Sequence, residues 1–166
     1  ALQYNPAGLV QFEGHQAMFS HTSWLVELQH EFVGVVYRLS PGDALGVSFV
    51  SLHTDDMEVT TETQPFGTGR YFSYGDVALG LSYARKLTEQ FSFGATVRYV
   101  EETIDVLKTR AFMIDLGTHY RTGLGSTRFS VAVSNFGNNV SPEGEVTLPR
   151  IGVVNDFQEF SPPTTF

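Results

Sequence analysis

Cysteine is absent from the 166-residue chain, which excludes a disulfide framework, a thiolate zinc site and a cysteine nucleophile. Bases are scarce: 10 Lys and Arg stand against 18 Asp and Glu, a net charge of −8. No basic face is therefore expected for nucleic acid. No stretch approaches the roughly 18 apolar residues that a membrane-spanning helix needs. Charged residues are only 17% of the chain, below the roughly 25% of an ordinary soluble domain. The chain opens at Ala1 without a basic, apolar leader, so any secretion signal is expected to have been removed ahead of this numbering. At about 150 residues per domain, the length fits one domain or a piece of one. Apolar residues (42%), aromatics (13%) and 16 glycines are plentiful by contrast. That mixture suits a β-rich chain whose surface does not all face water.

A period of two runs through most of the sequence, the signature of strands. Over 76–86, Val77, Leu79, Leu81 and Tyr83 share one face, with Ala78, Gly80, Ser82 and Ala84 on the other. Over 91–101, Phe91, Phe93, Val97 and Tyr99 oppose Ser92, Gly94, Thr96 and Arg98. Over 111–120, Phe112, Ile114, Leu116 and Tyr120 oppose Asp115, Gly117 and His119, and over 128–134 Phe129, Val131 and Val133 oppose Ser130, Ala132 and Ser134. Leu45, Val47 and Phe49 mark an earlier strand, with Val33, Val35, Tyr37 and Leu39 on the one before it and a short one near 17–20. Residues 151–154 make a weak eighth candidate. One short helix is expected at 5–9, where Asn5 caps the first turn and Pro6 sits where its missing N–H costs nothing.

Tight, turn-rich links are expected at 40–43, 87–90 and 122–127. Longer ones are expected at 21–30, 55–73, 102–109 and 136–150. The alternation places the tight turns at one end of an up-and-down sheet, as in outer-membrane barrels with their short periplasmic turns. A water-soluble β-sandwich acting as a binding or structural module is the alternative, with Leu79, Leu81, Phe93 and Val97 in a dry interior. Three features favour the barrel. The non-apolar faces carry Gly, Ala, Ser and Thr rather than the Lys and Glu of a solvated sheet. Strands of about 11 residues, tilted by about 40°, span roughly the apolar band of a membrane. Tyr37, Tyr71, Phe72, Tyr74, Tyr83, Tyr99 and Tyr120 gather near strand ends, as in an interfacial girdle. Open sheet edges do not survive in hydrocarbon, so seven or eight strands are read as part of a larger barrel.

The element Asn5-Pro6-Ala7-Gly8-Leu9 resembles the "NPAGL" motif near the N-terminal hatch of long-chain fatty acid transporter (FadL-like) barrels. Residues 75–102 (GDVALGLSYARKLTEQFSFGATVRYVEE) and 111–137, containing AFMIDLGTHYRTG and FSVAVSNFG, are similar to the PorV/PorQ-type branch of that superfamily. The resemblance implies an all-β, antiparallel up-and-down outer-membrane barrel, here about seven or eight strands of one with 14. On that scheme 1–15 is a hatch-like segment, 16–157 holds strands and loops, and 158–166 begins a further part. It implies a non-enzymatic role without cofactors in the bacterial outer membrane, either in transport of hydrophobic molecules or in type IX-like protein secretion. Partners would be outer-membrane lipid and other envelope or secretion proteins at loops and barrel edges.

Alternation puts Arg98, Asp115 and His119 on the small-residue face, which in a barrel is the lumen, where charges tune transport, hold a plug or satisfy one another. The five histidines fall in separate segments without ligand spacing, and His53, Asp55, Asp56 and Glu58 match no calcium loop, so no metal is expected. Ser82, His119 and Asp115 lack a nucleophile elbow. The loop at 55–73, with Phe66, Tyr71 and Phe72, and Trp24 in the first loop are the expected external contact residues, since function tends to reside on loops carried by a rigid scaffold.

Overall fold

The computed structural model describes residues 1–148 and 152–165. A 3-10 helix, Pro6–Gln11, precedes eleven strands. These are β1 (Gln16–Ser23), β2 (Gln29–Arg38), β3 (Asp43–His53), β4 (Met57–Glu58), β5 (Tyr71–Phe72), β6 (Tyr74–Lys86), β7 (Phe91–Ile104), β8 (Leu107–Arg121), β9 (Arg128–Gly137), β10 (Val146–Leu148) and β11 (Gly152–Val154). Seven of them form one antiparallel sheet in the order β1-β2-β3-β6-β7-β8-β9. Apart from the small β4–β5 hairpin, which leaves the sheet between β3 and β6, each strand pairs with the next in sequence. This is the expected up-and-down, all-β arrangement. The sheet is open, with β1 and β9 at its edges.

Register is in phase from β3 to β8. Leu45, Tyr83, Ala95 and Leu116 are successive cross-strand partners, as are Gly46, Ser82, Thr96 and Asp115 one residue along. A slip of one residue would exchange the two faces, so bulky and small side chains fall on opposite sides of the sheet. The small-residue face, called inner here, carries the N-terminal segment. Leu2, Leu9 and Val10 pack there with Phe32, Val36, Ala44 and Ala84 into the main buried apolar cluster.

The outer face is bare. Leu79, Leu81, Val97 and Phe112 are 49%, 59%, 53% and 63% exposed, and Val35, Val47, Ile114, Leu116, Phe129 and Val131 are exposed with them. No second sheet covers this row among the described residues. Leu79, Leu81, Phe93 and Val97, which a sandwich would bury, are all open on this side.

Three sequence expectations need correction. The links at 21–30 and 102–109 are not long. β1 and β2 are joined by residues 24–28, while β7 and β8 meet in a two-residue turn of Asp105 and Val106, with Asp105 at φ +54°. The strands run on because charged partners hold their ends: Glu101 lies opposite Arg110 on β8 at 2.9 Å, and Asp105 in the turn is tied to Arg70 in the loop before β5. Length therefore does not separate the two ends of the sheet as cleanly as the turn signals suggest. The weak eighth strand does not join the sheet. Gly152–Val154 pairs with Val146–Leu148 in a separate hairpin, and Ile151 lies outside the described residues, as do Pro149, Arg150 and Phe166. The short helix is present as a 3-10 helix, with the Asn5 side chain accepting from the Ala7 N–H at 3.0 Å.

Candidate functional site

The inner face is a seat shaped by missing side chains. Gly94 on β7 and Gly117 on β8 are direct cross-strand partners. A Cβ on Gly94 would stand 2.5 Å from the Ala7 nitrogen and 2.8 Å from the Pro6 carbonyl oxygen, and one on Gly117 would run into the Asn5 side chain. Only this pair of glycines lets the backbone of residues 5–7 lie against the sheet. Two hydrogen bonds fasten it: Asn5 Nδ2 donates to the Thr118 carbonyl at 3.1 Å, and Ser92 Oγ donates to the Ala7 carbonyl at 3.1 Å. Further along, the Leu2 side chain fills the space above Gly34 and Gly46. Between this segment and β1–β2 lies an apolar cavity of about 380 Å³, lined by Leu2, Leu9, Phe12, Met18, Phe32 and Val36 among others.

Two of the three lumen candidates meet. Arg98 Nη2 donates to Asp115 Oδ2 at 2.7 Å, and Asp115 is 2% exposed. The other carboxylate oxygen accepts from the Asn135 backbone N–H at 2.8 Å. The β8–β9 register breaks at this point. Ile114 pairs with Phe136 but Leu116 with Val133, so Asp115 faces two residues, Ser134 and Asn135. This is a β-bulge, with Asn135 at φ +60° in the left-handed region that Asn tolerates better than most residues. The bulge frees a backbone donor from the ladder, and the buried carboxylate receives it. Asp115 thus closes a three-part network of guanidinium, carboxylate and peptide N–H, the kind of pairing a buried charge requires. His119 stands apart, opposite Ser130 on β9. Ser82 bonds to Thr96 at 2.7 Å, so Ser82, His119 and Asp115 form no relay.

The bare outer row is bounded by charge at both ends, through matching clusters. At the end with turns 39–42 and 87–90, the Tyr83 hydroxyl donates to Asp43 at 2.6 Å and Arg85 lies 3.6 Å from the same carboxylate. At the opposite end, the Tyr99 hydroxyl and the Arg110 guanidinium both donate to Glu101 at 2.9 Å. The row also steps sideways. Arg85 on β6 pairs with Phe93 on β7, while Val77 on β6 pairs with Glu101 on β7. At the loop end the apolar band is therefore displaced by two residues between these strands, about 7 Å along the strand.

The external contact candidates all lie toward the end opposite turns 39–42 and 87–90. Trp24 precedes a short 3-10 turn, Leu25–Glu27, and is exposed. Phe66 is 97% exposed in the loop between β4 and β5. Tyr71 is exposed, and the half-buried Phe72 pairs with Met57 in the β4–β5 hairpin. Glu58 is engaged locally, accepting from the Gly69 N–H at 3.2 Å.

Sequence reasoning did not find Asn135, Ser92, or the pairing of Gly94 with Gly117. The Asn-Phe-Gly ending of β9 was the available signal for a bulge, since Asn and Gly are the residues that accept positive φ. Compared with models of known protein families and with curated protein sequences, the chain matches none of them.

Proposed function

We propose that the chain is the strand-bearing part of an outer-membrane β-barrel, non-enzymatic, which admits hydrophobic molecules past an N-terminal segment seated on its inner face. The observation that carries this reading is the bare outer row between two belts of Tyr, carboxylate and Arg. About fifteen large side chains at roughly half exposure leave on the order of 1,000 Å² of apolar surface uncovered, given 150–250 Å² for an aromatic side chain and less for an aliphatic one. A soluble monomer rarely shows a patch above about 300–600 Å². At about 25 cal/mol per Å², hydrocarbon is preferred to water over such a surface by on the order of 25 kcal/mol. The sideways step of the band supports the same reading, because strands tilted by about 40° cross a flat membrane with such a stagger. Barrel closure then requires further strands along the edges of β1 and β9, the latter bridged at Ser134 by Thr165, since unpaired edges are not tolerated in lipid.

The apolar cavity beside the seated segment favours passage of a hydrophobic molecule. A second reading, a membrane partner in protein export, is favoured by the exposed Phe66 and Trp24 at the loop end. Fractionation tests the shared premise: the protein should require detergent for extraction, and recovery from the aqueous fraction in folded form overturns it. Binding of a fluorescent fatty acid, reduced by Met18→Trp in the cavity wall, supports the transport reading. Unchanged binding in that variant rejects it.

A further inference from the structure

A cleft of about 170 Å³ opens between the 3-10 helix and the turns at 39–42 and 87–90, and Arg38, Lys86, Arg121, Gln90, Glu13 and Glu89 are among its walls. Its charges are unevenly matched. Lys86 Nζ lies 2.6 Å from Glu89. Arg38 instead gives its guanidinium to two neutral carbonyls, Val10 at 2.8 Å and Pro41 at 2.5 Å. Arg121 donates to the side-chain oxygen of Gln11. Among the described residues, no carboxylate lies within 4 Å of Arg38, Arg121 or Arg128. Arg121 and Arg128 are direct cross-strand partners on β8 and β9. Like charges placed opposite one another weaken a strand pair. Two guanidiniums without a carboxylate within 4 Å therefore share this cleft, with Arg128 next to Arg121 on the neighbouring strand, in a chain whose net charge is −8.

We propose that this cleft, with Arg38 and Arg121 in its wall and Arg128 beside it, binds the phosphate group of a ligand. A guanidinium carries five N–H donors in a planar fork that fits phosphate oxygens two at a time. Arg38 has two of its donors engaged and Arg121 one, which leaves several free. Arg38, Lys86 and Arg121 in the wall oppose Glu13 and Glu89, an excess of one positive charge that suits an anion. At about 30 Å³ of liquid volume per water, 170 Å³ corresponds to about six waters, enough for a phosphate group with part of its hydration. Phe91, at the limit of the apolar band, also lines the cleft. The phosphate can accordingly come from a free solute or from a lipid headgroup at the membrane boundary.

The test uses the full chain folded in phospholipid-free detergent, titrated with inorganic phosphate against sodium chloride of equal ionic strength, with the thermal unfolding midpoint as readout. A parallel arm replaces phosphate with vesicles containing phosphatidylglycerol, compared with vesicles of phosphatidylcholine alone. A saturable rise in midpoint is expected. Arg128→Gln, which removes a positive charge beside Arg121 with no polar partner among the described residues, should weaken binding severalfold through its field. Arg121→Gln should weaken it at least as much, and Glu13→Gln should tighten it. A response to inorganic phosphate identifies a solute site, and a response confined to the anionic vesicles identifies a headgroup site. No saturable response in either arm, or a response that Arg128→Gln and Glu13→Gln leave unchanged, overturns the proposal.

Discussion

Replacing Gly94 tests whether the N-terminal segment owes its place to a gap in the sheet. The first atom of any side chain there meets the Ala7 nitrogen at 2.5 Å and the Pro6 carbonyl oxygen at 2.8 Å. Both are backbone atoms, unable to swing aside like the tip of a long side chain. Two responses compete. The segment can shift while remaining docked, and overpacking of that kind costs about 1–3 kcal/mol. Or it can leave the sheet, losing the burial of Leu2, Leu9 and Val10, each about 1.5–3 kcal/mol. Departure also gives up the Asn5 and Ser92 hydrogen bonds at about 1 kcal/mol apiece. Release therefore costs about 6 kcal/mol or more, and a single methyl group does not reach that figure. Gly94→Ala should lower the unfolding free energy by about 1–3 kcal/mol with the segment still seated. Gly94→Val crowds two further methyl groups into the same space and should dislodge it. The absence of cysteine allows a clean assay, because L9C introduces the only thiol at a fully buried position. Maleimide should leave L9C unmodified in the wild-type and Gly94→Ala backgrounds and react with it readily beside Gly94→Val. Wild-type stability for both substitutions, with L9C protected throughout, would refute the reasoning.

Asp115→Ala strands the Arg98 guanidinium and the Asn135 N–H together, and chemical denaturation should show a loss of about 3–5 kcal/mol, as for one partner taken from a buried pair. At the bulge itself, Asn135→Gly should be nearly neutral, whereas Asn135→Val, at φ +60°, should cost about 1–2 kcal/mol in the same measurement. On the proposed barrel reading, Leu81→Arg should destabilise the protein in bilayers by about 2–4 kcal/mol, the cost of a base near the midplane of a membrane strand. Ser82→Ala, one residue along on the inner face, should move the same equilibrium by much less. In the 87–90 turn, the hydrogen bond from Lys86 holds the Glu89 carboxyl below its ordinary range. A depressed acid stabilises the fold above its unfolded-state value, ordinarily 4.5, and loses that contribution as pH falls through the folded-state value. Any stability difference between wild type and Glu89→Gln should therefore be present at neutral pH and absent in strong acid.

The strands were legible because two-residue alternation survives without knowledge of neighbours. Val77, Leu79, Leu81 and Tyr83 declare their common face whatever covers it. The capped turn at Asn5 and Pro6 was legible for a similar reason, since capping depends on residues a few positions apart. The strand ends were harder. Residues 102–104 and 107–109 carry charge and read as loop, yet Glu101 and Arg110 hold the hairpin from opposite strands, a contact that sequence distance hides. Arg98 and Asp115 could be placed on one face by parity. Their contact could not be foreseen, because it depends on the β7–β8 register and on a bulge in a third strand. The glycine seat was hidden in the same way: Gly94 and Gly117 are ordinary strand glycines until pairing sets them side by side beneath Pro6.

Which medium bathes Leu79, Leu81, Val97 and Ile114 is the question on which the reading turns. Single cysteines placed in turn at positions 78 to 83 of β6, each carrying a nitroxide, allow collision rates with oxygen and with a water-soluble nickel chelate to be compared in reconstituted bilayers. The account predicts oxygen-rich, nickel-poor collisions at 79, 81 and 83, with both reagents hindered at 80 and 82 beneath the inner face. Equal access of the nickel chelate to 79, 81 and 83, in protein that folds in plain buffer, would contradict it.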